Sequence, residues 1–297
     1  MRGSDQADME MITMICLTGD VHHDSLDDND QKFNPDRSIT EVMITCKYVE
    51  LLEKYDLKAT LYVTGKCFTE EAEDLEPVIQ SHLVEIGGHT YDGLPLGRLS
   101  QIGYRMIGRT PPSHKKSYGS VSAQRKDINK TIDIIKHRTG RDVLSWRSHG
   151  LVFDENTYRL LYEAGIRNIS DEIRKNVYKP YINDAGLLSH PLNVITDHDH
   201  LFHAHRNEEF VAKAKATGYG ADEFGSDSYT IKEWGKLVMD QVDNIVENGG
   251  VATILMHPMC MYLADDMKTA EEIMKFLAGY KTVWAKEIRS VFLAQGF

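Results

Sequence analysis

The stretch "MITMICLTGD", residues 11–20, decides the fold. It is a run of apolar and β-branched residues that stops at Gly-Asp, which predicts a buried strand ending in a loop. The stretch "VATILMHP", residues 251–258, has the same form near the other end of the chain. Because these strands are apolar throughout rather than alternating, they are typical of parallel sheets that helices cover on both faces.

Amphipathic helices follow the predicted strands. The stretch "SITEVMITCKYVELLEKYDL" (38–57) has apolar residues at helical spacing, and "SAQRKDINKTIDIIKHRTG" (122–140) ends on a helix-terminating glycine. This strand–helix rhythm predicts an α/β barrel or a doubly wound sheet. We expect one domain over residues 12–297, preceded by a polar tail at 1–11 and interrupted by a loop insertion at about 93–122.

The composition limits the partners of the protein. The chain has 34 Lys and Arg residues against 45 Asp and Glu residues, which gives a formal net charge of −11. An acidic chain without a basic stripe is poorly suited to phosphate backbones, so we expect no nucleic-acid binding. No apolar run reaches the length of a membrane span, and no signal-peptide pattern opens the sequence. We therefore expect a cytoplasmic protein without a membrane partner; a signal peptide that has already been removed is the open alternative.

Polar side chains recur at the ends of the predicted strands. The loops that follow the carboxyl ends of parallel strands converge on one face of an α/β fold, so this recurrence predicts an active site on that face. The residues of this series are Asp20, His22, His89, Arg147, His149, Asp171, His198, Asp199, His200 and His257.

Taken in order, these motifs resemble those of the polysaccharide deacetylase (NodB-homology, carbohydrate esterase family 4-like) superfamily. "LTGDVHHD" (17–24) is similar to its aspartate-bearing strand end, and "GGHTYDG" (87–93) to its histidine segment. "WRSHG" (146–150) resembles its arginine motif, and "ILMHP" (254–258) its final histidine motif. The resemblance implies a distorted (β/α)7-type barrel that hydrolyses amide C–N bonds with a divalent metal, here zinc, and without an organic cofactor.

The resemblance also implies a role for four residues. Asp20 corresponds to the catalytic base of the family, which takes a proton from water. Arg147 corresponds to the arginine that keeps this base ionised through a charge-assisted hydrogen bond. His257 corresponds to the general acid that protonates the leaving amine, and Asp171 to the aspartate that supports this histidine.

The implied metal ligands depart from the family pattern. His22 stands where the family has an aspartate, and His89 corresponds to the first metal histidine; both are competent zinc ligands. The second metal histidine would fall at position 93, where this chain has Gly93. Asp92 is the first candidate to replace it, and a site without metal is the remaining alternative. The other candidate ligands are His23, Asp24, His198 and His200.

The resemblance implies a metal-dependent hydrolase that deacetylates an N-acetylated sugar or polysaccharide. One alternative is a hydrolase of a small linear or cyclic amide or imide that needs no metal, which the missing second histidine favours. Another alternative is a non-catalytic member of this superfamily that binds sugar. The presence of Asp20, Arg147 and His257 argues against it. The expected partner is a carbohydrate or a small amide substrate. The insertion at 93–122 suits either a lid or a contact in a homo-oligomer.

Overall fold

The computed structural model describes residues 13–26, 30–94, 118–218 and 220–294. The predicted tail at 1–11 and residues 95–117 of the predicted insertion at 93–122 lie outside the described residues. The boundary of a single domain therefore stays a prediction. Within the described part of the chain, no helix combines the length and the apolar character needed to cross a membrane.

The described strands form one sheet. They are β1 (Met14–Val21), β2 (Ala59–Val63), β3 (Val84–Gly88), β4 (Ser145–Trp146), β5 (Asn168–Ile169), β6 (Tyr181–Ile182), β7 (Leu188–Ser189) and β8 (Val251–Leu255). Their order across the sheet is β6-β7-β5-β4-β3-β2-β1-β8. Only the edge pair β6 and β7 is antiparallel among these strands, and the other neighbours are parallel. This is the α/β arrangement that the strand–helix rhythm predicts.

Helices connect the strands and cover the sheet. The α-helices of the described residues are α1 (Glu41–Tyr55), α2 (Cys67–Glu70), α3 (Glu76–Gln80), α4 (Val121–Thr139), α5 (Glu155–Glu163), α6 (Asp197–His200), α7 (Glu208–Thr217), α8 (Ile231–Glu247), α9 (Pro258–Asp265), α10 (Lys268–Leu277) and α11 (Ala285–Ala294). Two 3₁₀ helices, Asp30–Phe33 and His149–Leu151, lie in the loops after β1 and β4.

The central strands are buried on both faces. Every residue of β1, β2, β3 and β8 is buried. The helices that cover them are set by local signals as well as by packing. The Thr40 hydroxyl accepts a hydrogen bond from the Met43 N–H at the start of α1, and Thr230 and Glu233 form a capping box at the start of α8. The apolar strands predicted from the sequence are thus confirmed.

The sheet curls into an incompletely closed barrel. The Asn193 side chain spans the opening beside β8: its Nδ2 donates to the Val251 carbonyl at 2.9 Å, and its Oδ1 accepts from the Thr253 N–H at 2.8 Å. The Val251 N–H in turn donates to the Tyr178 carbonyl at 2.8 Å. A side chain and a loop therefore close the barrel where a regular strand ladder would otherwise continue. The predicted distorted barrel is confirmed.

The register of the sheet places functional side chains next to one another. Gly88 and Trp146 are paired at the ends of β3 and β4, so the next residues, His89 and Arg147, emerge side by side. The Arg147 N–H donates to the Gly88 carbonyl at 3.0 Å. A Cβ at position 88 would lie only 2.3 Å from the Trp146 ring, so this close approach of the two strands requires glycine.

Candidate active site

A pocket of about 410 Å³ opens at the carboxyl ends of the central strands. It is lined by side chains from the ends of β1, β3, β4 and β8, which are the strand ends where the sequence places its polar clusters. Among the lining residues are Asp20, His22, His89, His149 and His257. A pocket of this size is in the range of small-ligand sites.

Arg147 fixes Asp20 inside the barrel. The guanidinium is fully buried, and its Nη1 donates to Asp20 Oδ1 at 2.8 Å. Its Nε donates to the Ser170 carbonyl at 3.0 Å, and its Nη2 donates to Thr18 Oγ1 at 3.0 Å and to Ser170 Oγ at 2.8 Å. Because every nitrogen of this planar group has a partner, its position and that of Asp20 are closely determined.

The second carboxylate oxygen of Asp20, Oδ2, faces the histidines of the pocket. Its Oδ2 lies 3.6 Å from His89 Nε2 and 3.7 Å from His257 Nε2. Burial alone would raise the pKa of Asp20, but the Arg147 guanidinium and the neighbouring histidines hold that pKa well below its usual range. The carboxylate is therefore ionised at neutral pH, as proton abstraction requires.

His257 lies opposite Arg147 and is held by Asp197. Its Nδ1 donates to Asp197 Oδ1 at 2.7 Å, and its backbone N–H donates to Asp197 Oδ2 at 2.6 Å. Burial alone would lower the pKa of His257, but Asp197 and Asp20 raise it to about 9. The imidazole therefore carries a proton on Nε2, the nitrogen that faces Asp20, at neutral pH.

The prediction that Asp171 supports His257 is wrong. Asp171 follows β5, and its Oδ1 accepts the Ser148 N–H at 2.6 Å in the loop after β4. Burial raises the pKa of this carboxyl to about 7. The supporting carboxylate is Asp197, which begins the short helix α6 beside the end of β8. Asp197 directly precedes His198, Asp199 and His200, which the strand-end rule selects. The sequence therefore points to this cluster but not to Asp197 itself.

Three histidines form a compact group beside Asp20. One ring nitrogen from each of His22, His89 and His149 lies within 4.8 Å of the corresponding nitrogen of the other two. The centroids of the three rings are 5.1–5.3 Å apart. Nitrogens bound to one tetrahedral zinc lie about 3.3–3.4 Å apart, so small side-chain movements would bring these three to an ion.

The hydrogen bonds of two of these histidines suit metal binding. His22 Nδ1 lies 3.0 Å from Glu41 Oε1, and His89 Nδ1 donates to the Arg147 carbonyl at 2.7 Å. Both contacts leave Nε2 for the pocket, which is the arrangement of metal-ligating histidines that are oriented by a carboxylate or a carbonyl. Burial lowers the pKa of His89 to about 3, so its ring is neutral and its lone pair is available. The residues of this group fit a divalent metal.

His149 is the third member of this group, and it lies where position 93 offers no ligand atom. Gly93 has a φ of +61°, and a Cβ there would lie 2.5 Å from Leu26 Cδ1, so a histidine at this position would be strained and in collision. His149 instead comes from the loop after β4, two residues beyond Arg147. The motif "WRSHG" contains this residue, and the strand-end rule selects it as a functional residue without making it a metal ligand. It was missed as a ligand because the family pattern places its second histidine after β3.

The first replacement ligands that the sequence suggests lie elsewhere. Asp92 Oδ1 is 2.6 Å from Lys66 Nζ and 3.1 Å from His23 Nε2. His23 is fully buried, and its Nδ1 is 3.0 Å from Thr64 Oγ1. Asp24 accepts from the Gln31 side chain. These three residues pack between the first loop and the start of α2, and the three-histidine group forms without them.

The two histidines suggested from the 198–205 segment have different surroundings. His200 is buried, with Nδ1 2.8 Å from the Asp227 carbonyl and Nε2 3.1 Å from both oxygens of Asp222. These contacts occupy both ring nitrogens of His200, which leaves it no free ligand atom. The His198 side chain is 49% exposed and lines the mouth of the pocket. The structure therefore brings only His198 of this pair to the pocket.

Part of the chain matches a protein-family model. Residues 36–169 match the family model described as polysaccharide deacetylase. The matched segment runs from the residues before α1 to the end of β5 and contains His89, Arg147 and His149. The resemblance predicted from the ordered motifs is thereby confirmed. No curated protein sequence matches the chain.

Solved structures with the same fold support the barrel assignment. A putative polysaccharide deacetylase from Mycobacterium smegmatis superposes with a TM-score of 0.65 at 15% identity, over 97% of this chain and 92% of that one. A probable polysaccharide deacetylase from Pseudomonas aeruginosa PAO1 gives 0.62 at 12% identity, over 95% and 92%. Puue allantoinase gives 0.62 at 12% identity, over 95% and 91%. At these identities the comparison establishes the fold.

Proposed function

We propose that the protein is a metal-dependent hydrolase that removes the acetyl group from an N-acetylated sugar. The observation that carries this proposal is the pair of groups on either side of the Asp20 carboxylate, Arg147 at Oδ1 and His257 at Oδ2. Arg147 keeps Asp20 ionised from within the barrel, and the protonated Nε2 of His257 lies 3.7 Å from the free carboxylate oxygen. A base and an acid in opposite protonation states thus face one pocket.

The reaction is the hydrolysis of an amide with water as nucleophile. Asp20 takes a proton from the water as its oxygen bonds to the carbonyl carbon of the acetamide. The C–N bond then breaks, and His257 gives its Nε2 proton to the departing nitrogen. The products are acetate and the free amine of the sugar, and the proton held by Asp20 restores the acid after release.

His22, His89 and His149 are the residues that would hold the metal. When bound there, a divalent ion such as zinc supplies Lewis-acid activation of the water and of the acetyl carbonyl. The residues of this chain fix the reactants around that position: Arg147 positions the base, Glu41 orients His22, and Asp197 orients the acid.

A small linear or cyclic amide is the second candidate substrate. The pocket volume of about 410 Å³ favours it, because a site of this size accommodates one small molecule more readily than a polymer chain. The complete three-histidine group, in contrast, supports the metal-dependent form of the reaction over the metal-free one. The substrate is therefore the open part of this proposal, and both classes belong in the same assay.

The proposal is tested by metal content and product release together. We expect metal analysis of the purified protein to find zinc or a similar ion, and acetate to be released from N-acetylglucosamine oligomers. H149A should lose both the ion of this site and the activity, whereas H82A, at an exposed histidine, should lose neither. Turnover of small amides alone would move the assignment to the second candidate. Turnover of neither class by the metal-loaded protein would contradict the proposal.

A further inference from the structure

A second group of ligand-type side chains lies at the mouth of the same pocket. Asp30 begins the 3₁₀ helix after β1, His198 and His203 come from the segment around α6, and Cys260 lies in the first turn of α9. We refer to these four residues as the Asp30 cluster. The structure places Asp30 among these side chains, with its own side chain only 9% exposed.

The atoms of the Asp30 cluster converge on one point. Asp30 Oδ2 lies 3.1 Å from His203 Nε2, 3.7 Å from His198 Nδ1 and 3.7 Å from Cys260 Sγ. The four ligand atoms all lie within 4.8 Å of one another. Ligand atoms around a tetrahedral zinc lie about 3.3–3.8 Å apart, so the cluster is close to this geometry before any ion enters.

The surrounding hydrogen bonds aim these ligand atoms inward. His203 Nδ1 donates to the Leu201 carbonyl at 2.8 Å, which commits the hydrogen of that nitrogen and directs Nε2 towards Asp30. His205 Nδ1 lies 2.8 Å from Asp30 Oδ1, so it holds the carboxylate and leaves Oδ2 for the cluster. Backbone carbonyls and a second ring that orient ligands in this way are the usual outer partners of metal sites.

We propose that the Asp30 cluster binds a second divalent metal of the zinc class. One carboxylate oxygen, two imidazole nitrogens and one sulfur form a donor set that suits zinc and related transition metals and does not suit calcium or magnesium. His203 and Cys260 are buried, whereas the His198 side chain is 49% exposed and leaves a route for the ion from solvent.

This site is separate from the three-histidine group. The two groups share no residue, and the His257 ring lies between them, 6.2 Å from the His22 centroid and 5.8 Å from the His198 centroid. Cys260 is also near Asp197, but both oxygens of that carboxylate are bonded to His257. Cys260 is therefore assigned to the Asp30 cluster. This inference stands apart from the proposed function, because none of its four ligands has a role in the reaction described above.

Cobalt titration of the chelator-stripped full chain tests the second site. Wild-type protein should bind two equivalents of Co²⁺, one of which produces the near-ultraviolet charge-transfer band of a cobalt–thiolate bond. C260S, which differs by a single atom, should remove the band, and H203A should bind one equivalent only. The control C46S should keep both equivalents and the band, because Cys46 Sγ contacts the Asp74 carbonyl and is not part of this cluster.

Two further variants separate the second site from the first. H205A removes the residue that holds Asp30 and should raise the dissociation constant of the second equivalent roughly 10- to 100-fold. H149A should lose one equivalent and keep the thiolate band, so failure of the three-histidine site leaves a distinct signature. A wild-type protein that binds a single equivalent without the band would overturn the proposal. So would a second equivalent that persists in both H203A and C260S.

Discussion

Asp20 and Asp197 are two buried carboxylates at the same end of the barrel, and each is hydrogen-bonded to a cationic side chain. Asp20 accepts from Arg147 at 2.8 Å, and Asp197 accepts from His257 at 2.7 Å. The partners differ in chemistry, because a guanidinium does not give up its proton near neutral pH, whereas an imidazolium does. The first pair therefore maintains a charged carboxylate, and the second maintains a transferable proton.

The difference between these two pairs explains how one pocket holds a base and an acid together. Apart from Asp20, the side-chain hydrogen-bond partners of Arg147 are Thr18 and Ser170 in the barrel wall, so its effect on Asp20 is to position it and to keep it charged. His257 uses Nδ1 for Asp197 and presents Nε2 to the pocket. Four substitutions test this division, from the largest expected effect to the smallest.

D20N should cause the largest loss, because it removes the only proton acceptor of the first pair. We expect kcat to fall by roughly 10³- to 10⁴-fold for acetamide and activated ester substrates alike. Steady-state acetate release measures the effect, and thermal unfolding checks the fold. D142N, at an exposed carboxylate paired with Lys136, is the control and should retain full activity. A D20N variant with more than a tenth of wild-type kcat would exclude Asp20 as the base.

H257Q should affect substrates with poor and good leaving groups to different extents, which distinguishes the acid His257 from the base Asp20. Glutamine does not donate a transferable proton, so kcat for an N-acetyl sugar should fall by roughly 10²- to 10³-fold. With 4-nitrophenyl acetate, whose leaving group departs without protonation, the loss should be less than about tenfold. Equal losses on both substrates would mean that His257 binds or positions the substrate and does not act as its acid.

R147K should show that the first pair depends on geometry as well as on charge. Lysine keeps the positive charge but loses the planar set of hydrogen bonds to Thr18 and Ser170, so Asp20 would shift. We expect kcat to fall by roughly 10²-fold and the free energy of unfolding by roughly 2–4 kcal/mol. Urea unfolding and kinetics measure the two effects. R125K, at an exposed arginine paired with Glu163, is the control.

D197N should have the smallest effect at neutral pH and the clearest effect on the pH profile. The acid must be protonated, so the rate falls as pH rises through the pKa of His257, which is about 9 in the native protein. Without the Asp197 charge this alkaline midpoint should move towards the ordinary value near 6.5. Asp20 and Glu41 also raise this pKa and would keep the shift incomplete. An unchanged midpoint in D197N would mean that another group sets the alkaline limb.

The Asp197–His257 pair should also make the free energy of unfolding depend on pH, and the direction follows from the raised pKa of His257. The pKa of His257 is raised in the folded state, so its stabilising contribution is full below the unfolded value near 6.5 and is lost as pH rises through 9. Wild-type protein should therefore lose stability over this range, and D197N should lose less. Denaturant unfolding at pH 6 and pH 9.5 compares the two proteins. An equal loss in both would contradict the coupling.

The features that could be predicted from the sequence are those that depend on a single strand and its end. The apolar runs of β1 and β8 predict buried parallel strands, and their polar ends predict where Asp20 and His257 would meet. Arg147 and His89 follow from the same rule, because strand ends of a parallel sheet share one face.

The residues that were misassigned are those whose partners come from a distant part of the chain. Asp171 and Asp197 are both acids near strand ends, and only the packing of α6 against the end of β8 shows which one contacts His257. Asp30 likewise contacts His203 and His205, which lie 173 and 175 positions further along the chain. The left-handed backbone at Gly93 likewise becomes visible only with the fold.

The three-histidine group has a thermodynamic consequence that follows from its origin. Its members come from three separate strand ends, so the site exists only when β1, β3 and β4 lie together in the barrel. An ion that binds this group has no equivalent site in the unfolded chain, and its binding energy becomes folding energy. At a free-ion concentration a hundredfold above the dissociation constant, this adds about 2.7 kcal/mol to the free energy of unfolding. The metal supply of the surroundings would thereby contribute to the stability of the folded protein.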